Sequence, residues 1–391
     1  VELIFIPGSN STWRDMKQWG EYAYVTCDSG NDGLLIIDMS EAPSNIEFNF
    51  IKPVVKDGDN DIALDRCHNI FIDENGIIML AGCQGRGVEF FDPSDDPMNP
   101  TYLASIVSPY SHDAYAKGDT LYASEIYDHL AMYDISDLDN IQLLGTRETS
   151  SDFTHNAWAD PTHNYVFTTD ERPEGFVDAY DCSDPQNIEL LDKFMPPGLA
   201  GTGTIPHNTH YYNGFIVTSW YTAGVIVTDV HRPENMVQVA AYDTYDGPDG
   251  GFSGCWGVTP YLPSGVVIAC DINSGLYVFE ADYVRACYLE GKVTDIATNA
   301  SISNATVRII DGDYEVEQTE ANGEYKTGQP TPGTFTVEFS HPLYETKTAE
   351  ATLVNGEVTI LDMQLGQLPS YQVGLSLVDK NTGNAIPNAE F

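Results

Sequence analysis

Short apolar runs alternate with turn-forming clusters from the start of the chain to about residue 287, and they recur in a fixed order of four. The most regular run ends in an acidic residue and a turn: LLIIDMS (34–40), VEFFDPS (88–94), LAMYDIS (130–136), VDAYDCS (177–183), VIVTDVH (225–231) and LYVFEAD (276–282). A second run precedes it, as CHNIFID (67–73), SHDAYAK (111–117), THNAWAD (154–160) and PHNTHYY (206–212), with divergent copies TWRDMKQ (12–18) and GCWGVTP (254–260). One further run lies between the two and another follows the acidic turn. Runs rich in β-branched and aromatic residues, split by Gly, Asn, Asp and Pro, predict strands joined by tight turns. Each unit is therefore read as strands A, B, C and D. The acidic positions (Asp38, Asp92, Asp134, Asp181, Asp229 and Glu280) stand 42 to 54 residues apart, a period that fits four-stranded blades in a radial array. The expected fold class is all-β: a six-bladed β-propeller over residues 1–287, followed by a small β-sandwich. The sixth unit lacks its fourth run, while VELIFIPGSN (1–10) has that pattern. Residues 3–6 are thus expected to close the sixth blade and leave no open sheet edge.

From residue 288 the period stops. GKVTDIATNASISNATVRII (291–310), TEANGEYKTGQPTPGTFTVEFSHPLYE (319–345) and ATLVNGEVTILDMQL (351–365) read as the short alternating strands of a sandwich over 288–368. VGLSLVDKNTGNAIPNAEF (373–391) repeats its opening, so 369–391 is expected to begin a further module. A hairpin of that length buries no core of its own, which leads us to expect a longer parent protein with an anchor beyond residue 391.

Two resemblances follow from these motifs. Gly291-Lys292-Val293, Asn304-Ala305-Thr306-Val307, the Asn322-Gly323-Glu324-Tyr325 turn and Gly333 with Phe335-Thr336-Val337 resemble the carboxypeptidase-regulatory-like family, of transthyretin-like fold; Ser303-Asn304 departs mildly from its pattern. That resemblance implies a structural or adhesive module without a catalytic centre. The aliphatic-aliphatic-Asp phrase, with His-Asn or His-Asp at 68–69, 112–113, 155–156 and 207–208, resembles the LVIVD repeat of the choice-of-anchor B surface proteins. It implies an exported propeller held at the cell surface by varied C-terminal anchors, with no settled activity.

The charge of −42, from 59 acidic and 17 basic residues, argues against nucleic acid, because phosphate binding needs clustered Lys and Arg. It fits a solubilising surface or a divalent-cation binder, although no continuous calcium loop is present. No run of apolar residues is long enough to span a membrane. Cys67 and Cys83 occupy the A start and B end of the second unit, and Cys255 and Cys270 the same places in the sixth. Strands paired antiparallel bring those places together, so both pairs are expected as disulfides, which implies an oxidising compartment. Cys27, Cys182 and Cys287 are left unassigned.

Candidate chemistry divides between two faces. The acidic phrase falls at the C–D turns, where Asp side chains bond backbone amides, so its expected role is structural. The opposite face gathers the A starts: Arg14-Asp15, His68-Asn69, His112-Asp113, His155-Asn156, His207-Asn208 and Trp256-Gly257. It also gathers the B ends, among them Asp28, Glu125, Asp128, His129, Asp170, Glu171, Trp220 and Tyr221. Two readings of the histidines fit. They could be a repeated joint between blades, or His68, His112, His155 and His207 with Asp15, Asp113 and Glu125 could hold a divalent cation, calcium or a transition metal. The asymmetric residues Arg14, Trp220, Tyr221, Trp256 and His210, flanked by loops 195–208 and 242–254, are the candidate ligand site for a glycan or peptide; the other reading of Trp220 and Trp256 is inter-blade core. No GxSxG, HExxH or nucleotide-binding fingerprint occurs. The expected function is a monomeric, exported, non-enzymatic binding or adhesion protein meeting an extracellular glycan or protein. The alternative is a metal-dependent hydrolase or lyase.

Overall fold

The computed structural model describes residues 2–127, 129–310, 312, 316–369 and 378–386. Nearly all regular structure is β. Five antiparallel four-stranded sheets follow one another, each in the order A-B-C-D. The first comprises Met16–Trp19, Tyr22–Val25, Leu34–Asp38 and Glu47–Ile51; the fifth comprises Thr209–Tyr212, Phe215–Ser219, Val225–Asp229 and Val237–Tyr242. A sixth sheet has three strands, Cys255–Thr259, Val266–Asp271 and Gly275–Glu280.

The first strands of successive sheets touch one another in turn, and apolar side chains fill each gap between neighbouring sheets. Tyr24, Ile36, Ile70 and Leu80 join sheets one and two; Phe167, Ile216, Trp220 and Ile226 join four and five. Rings from these inner strands also meet across a common axis. Trp158 of sheet four lies 6.0 Å from Phe71 of sheet two, 4.1 Å from Tyr115 of sheet three and 5.5 Å from Tyr261, just beyond the first strand of sheet six. These rings form one aromatic cluster joining sheets two, three and four to Tyr261.

The acidic phrase is a turn device. The carboxylates of Asp38, Asp92, Asp134, Asp181 and Asp229 each accept the backbone N–H two residues on, at 2.8 to 2.9 Å. This is the Asx geometry that ends a strand without leaving an amide unpaired.

Three expectations need correction. Residues 3–6 form no strand; Leu3 and Phe5 are exposed, and the sixth sheet ends at the open edge of Gly275–Glu280 with Leu276 and Val278 exposed. The anchoring that does form is further on, where Ser9 donates from its backbone N–H and its hydroxyl to Asp32, each at 2.6 Å. Second, Cys67 and Cys83 are bonded, whereas Cys255 and Cys270 are free thiols. The pairing between the first two strands of sheet six slips between Cys255 and Gly257, so Cys255 sits opposite Asp271 while Cys270 faces Gly257. Neighbouring strand residues point to opposite faces; Cys255 is accordingly buried and Cys270 exposed. Third, an extra hairpin, Val54–Asp57 with Asn60–Ala63, lies between sheets one and two and inserts Val55 into their core.

The chain beyond Ala286 folds as two facing sheets. One holds Cys287–Asp295 between Glu324–Gln329 and Val358–Ile360; the other runs Val316–Gln318, Thr306–Ile309, Gly333–His341 and Tyr344–Leu353. Leu289, Val293, Val307, Tyr325, Val337 and Phe339 fill the space between them. The expected further module falls largely outside the described residues; within 378–386, Val378 bridges Ala385 around an Asp379 turn.

This unit is fastened to sheet five. Arg285 and the Ala286 amide donate to Asp229 at 3.1 and 2.7 Å, Arg232 pairs with Glu290 at 2.8 Å, and Asn235 donates to Glu290 and to the Thr327 carbonyl. An apolar groove of about 400 Å³ opens beside the junction, lined by Val225, Val239, Val267, Phe279 and Pro332.

Candidate functional site

The A starts gather at one end of the axis, and the two residues of each His-Asn or His-Asp pair divide the work. In three of the four pairs the second residue makes the joint; Asn208 does not. Asn69 donates to Asp15 of sheet one and accepts from the Ala114 amide of sheet three. Asn156 donates to Asp113 of sheet three and accepts from the Thr209 amide of sheet five. Asp15 also holds Lys17 at 2.9 Å. Asp15 and Asp113, expected as metal ligands, are therefore committed to fastening sheets together.

The histidines are left to stack on one another. Ring centroids are 3.9 Å apart for His68–His112, 4.3 Å for His112–His155 and 4.5 Å for His155–His207, and Trp256 continues the row 5.0 Å from His207. His155 and His207 are buried; His68 and His112 are partly so. Burial pushes His112 and His155 down to about 4 and His207 well below its ordinary value, and mutual repulsion along the row adds to the effect for His112 and His207. Near neutral pH these three rings are uncharged, with a lone pair available on one nitrogen. His68 behaves differently. Burial opposes its charge, yet Asp28, 3.5 Å from its Nδ1, and Asp113 raise it.

The carboxylate that enters this row is Glu171, at the B end of sheet four. Its Oε2 lies 3.4 Å from His155 Nε2 and its Oε1 3.6 Å from His207 Nε2, while Tyr221 donates to Oε1 at 2.5 Å. Burial raises the Glu171 carboxyl above its usual range, and the Tyr221 hydroxyl opposes that shift. Glu125 serves another corner, accepting from Tyr133 and standing 2.9 Å from His129. Asp128 lies outside the described residues. Within the described residues, two groups could converge on an ion: His68, His112 and His155, or His155, Glu171 and His207.

The expected ligand residues do not form one patch. Trp220 is fully buried, packed with Phe167, Phe194, Ile226 and Met236 between sheets four and five. The turn Trp220–Gly224, closed by Trp220 N–H to Gly224 O at 2.8 Å, folds the indole beneath the surface. Trp220→Ala should therefore destabilise by about 3–5 kcal/mol, the range for deleting a buried large aromatic; Trp256→Ala, at a partly exposed ring, should cost far less. Urea unfolding of the two variants checks this. His210 is sandwiched between Trp158 (4.6 Å) and Tyr261 (5.9 Å) in the inner-strand aromatic cluster. Arg14 donates to the Ser9 carbonyl at 2.5 Å beside Asp32. Tyr221 is buried but meets Phe252, whose ring is 5.4 Å away and exposed.

Around Trp256 and Phe252, the two long loops are held. Glu174 accepts the Gly201 and Gly203 amides at 2.7 and 2.5 Å. The Gly250 amide donates to Thr222 at 3.0 Å, and the Gly254 amide to Asn273 at 2.8 Å. A side chain at Gly250 would strike the Thr202 carbonyl at 2.8 Å, so the loops touch there.

No curated protein matches the chain. Among solved structures, the crystal structure of the computationally designed Ika8 protein (packing No. 1, P63) is similar at 10% identity and TM-score 0.44, with 83% of this chain and 98% of that chain covered; a likeness this low does not fix the arrangement of the sheets. Residues 288–366 match the carboxypeptidase regulatory-like domain, so the two-sheet unit that follows sheet six is similar to that family.

Proposed function

We propose that residues 1–287 are a six-bladed propeller of the LVIVD type, exported with the 288–368 sandwich as a non-enzymatic binding module of the cell surface. The succession of inner strands around one axis supports the propeller. The Cys67–Cys83 bond supports an oxidising destination, and no described helix is long and apolar enough to cross a membrane. One observation carries the binding reading: loops 195–208 and 242–254 are held by Glu174, Thr222 and Asn273 and present exposed Phe252 beside partly exposed Trp256. Long loops pre-ordered on a rigid sheet end, with aromatic faces and carboxylates beside them, suit a sugar ring or a short peptide.

The full chain applied to glycan and peptide arrays is expected to select a limited ligand set. Phe252→Ala and Trp256→Ala should each cut that binding at least tenfold with little change in melting. Undiminished binding in both variants, or no binding to any array, would sink this reading. The metal-dependent hydrolase or lyase is favoured instead if the chain turns over ester, glycoside or uronate substrates and loses that turnover in chelator. The convergence of His155, Glu171 and His207 is the observation on its side.

A further inference from the structure

We infer that His155, Glu171 and His207 form a binding site for one first-row transition-metal dication of the zinc class. The inference stands apart from the array reading above and needs no ligand at the loops. It rests on how three donor atoms are spaced and on what holds them. A metal bonded at about 2.0–2.1 Å to imidazole nitrogen and carboxylate oxygen keeps adjacent tetrahedral donors roughly 3.3–3.4 Å apart. The Glu171 oxygens stand 3.4 Å from His155 Nε2 and 3.6 Å from His207 Nε2. Those separations are long for hydrogen bonds and close to the span of two donors sharing an ion. All three donor atoms lie within 4.8 Å of one another, so a small inward movement completes the set.

The supports of these side chains suit the same purpose. Both histidines are almost wholly buried, at 1% and 2% exposure, and face a carboxylate that water reaches only in part. The Tyr221 hydroxyl fixes the carboxylate at 2.5 Å, the outer-shell contact that orients a ligating carboxylate. His155 Nδ1 and Asn208 Oδ1 are both buried without a well-formed hydrogen bond, although the two side chains interact. A ligating imidazole donates its other N–H to such an oxygen, and closure onto a metal would let these two groups pair. Two imidazoles and one carboxylate favour a transition metal over calcium, which takes six or more oxygens. Three protein donors leave a coordination place for water. The competing group, His68, His112 and His155, shares His155 with this one, so one ion excludes the other, and the His68 and His207 variants tell the two sets apart.

The test uses the full chain, stripped with chelator and dialysed, in excess magnesium so that the acidic surface is occupied. Zinc titrated by calorimetry should bind at one equivalent, and cobalt(II) should give the intense visible bands of a tetrahedral nitrogen–oxygen site. Glu171→Gln and His207→Gln should each weaken zinc at least a hundredfold. Tyr221→Phe, which leaves every donor atom in place, should weaken it about tenfold. His68→Gln, outside the set, should leave it unchanged. Failure to bind zinc above the magnesium background would overturn the inference, as would binding that survives in Glu171→Gln. Loss in His68→Gln with retention in His207→Gln would overturn it in favour of the competing group. Far-ultraviolet circular dichroism of each variant separates loss of a ligand from loss of fold.

Discussion

Asp229→Ala is expected to destabilise the chain by about 2–3 kcal/mol, the cost of leaving a buried amide without its acceptor and losing a charge-assisted hydrogen bond, whereas Asp134→Ala at the equivalent turn should cost about 1 kcal/mol. Each aspartate caps its turn through one oxygen, to His231 N–H and Ser136 N–H respectively, at 2.9 Å. The Asp134 carboxylate bonds only Ser136 among the described residues and is partly exposed. Asp229 is fully buried, and its Oδ1 also meets His231 Nδ1 at 2.7 Å. Its second oxygen accepts from Arg285 and from the Ala286 amide, where the chain leaves the sixth sheet for the sandwich. The mutation therefore leaves the buried Ala286 amide without its acceptor and releases the partly exposed Arg285 to water. Urea denaturation gives the energies, and limited proteolysis gives the place: cleavage near residue 285 should appear in Asp229→Ala and not in Asp134→Ala. Equal losses in the two variants would show that the junction does not depend on this carboxylate.

Asp229 also shows where sequence reading succeeds and where it stops. A period-two strand ending in Asp and a turn is a local pattern, and local hydrogen bonds realise it, so the C–D turns could be read directly. Locally only His231 in place of Ser136 separates Asp229 from Asp134, and the larger difference lies in Arg285, 56 residues away. The cysteine pairs divide for a similar reason. Both sit at repeat-equivalent places, but a one-residue slip at Cys255 turns Cys270 to the other face, and register shifts of that size leave no mark on composition. Trp220 looked like surface because it ends a strand; the tight turn after it returns the indole to the core. Glu171 stood beside Asp170 with no means of choosing between them. The structure separates the two: Asp170 is buried against Thr149 and the Ser151 amide, while Glu171 reaches the histidines. The hairpin at 54–63 was missed because VVKDGDNDIA carries too few apolar residues to read as two strands.

The stacked histidines should make the chain acid-labile between pH 6.5 and 4 when metal is withheld. His112 and His155 are pushed down to about 4 and His210 to about 3, burial being the first cause in each. For His112 and His155 repulsion from neighbouring histidines adds to it, and for His210 repulsion from Lys17 does. The sign follows from proton counting. Below 6.5 the unfolded chain binds protons at these sites and the folded chain does not, so stability falls as pH falls, until the folded value near 4 is reached. Each such histidine contributes a loss of about 3 kcal/mol over that window. Several groups work in the opposite sense, among them Glu171, Asp178, Glu317 and His68, all raised in the fold. Burial raises Asp170 to about 6 and Asp192 to about 7, so the folded state takes up their protons first and gains stability on acidification. These groups offset part of what the four lowered histidines remove, and the expected net result is loss. Asp113 is held far below the usual carboxylate range by the histidines around it, although burial opposes this; its own contribution fades only below about pH 4, the ordinary range of an aspartate. Urea midpoints measured in chelator across the window should therefore drop steeply. His210→Phe, which keeps a ring between Trp158 and Tyr261, should reduce the slope by up to one proton. A midpoint that stays level from pH 6.5 to 4 would show that the lowered histidines do not dominate the acid response of the fold.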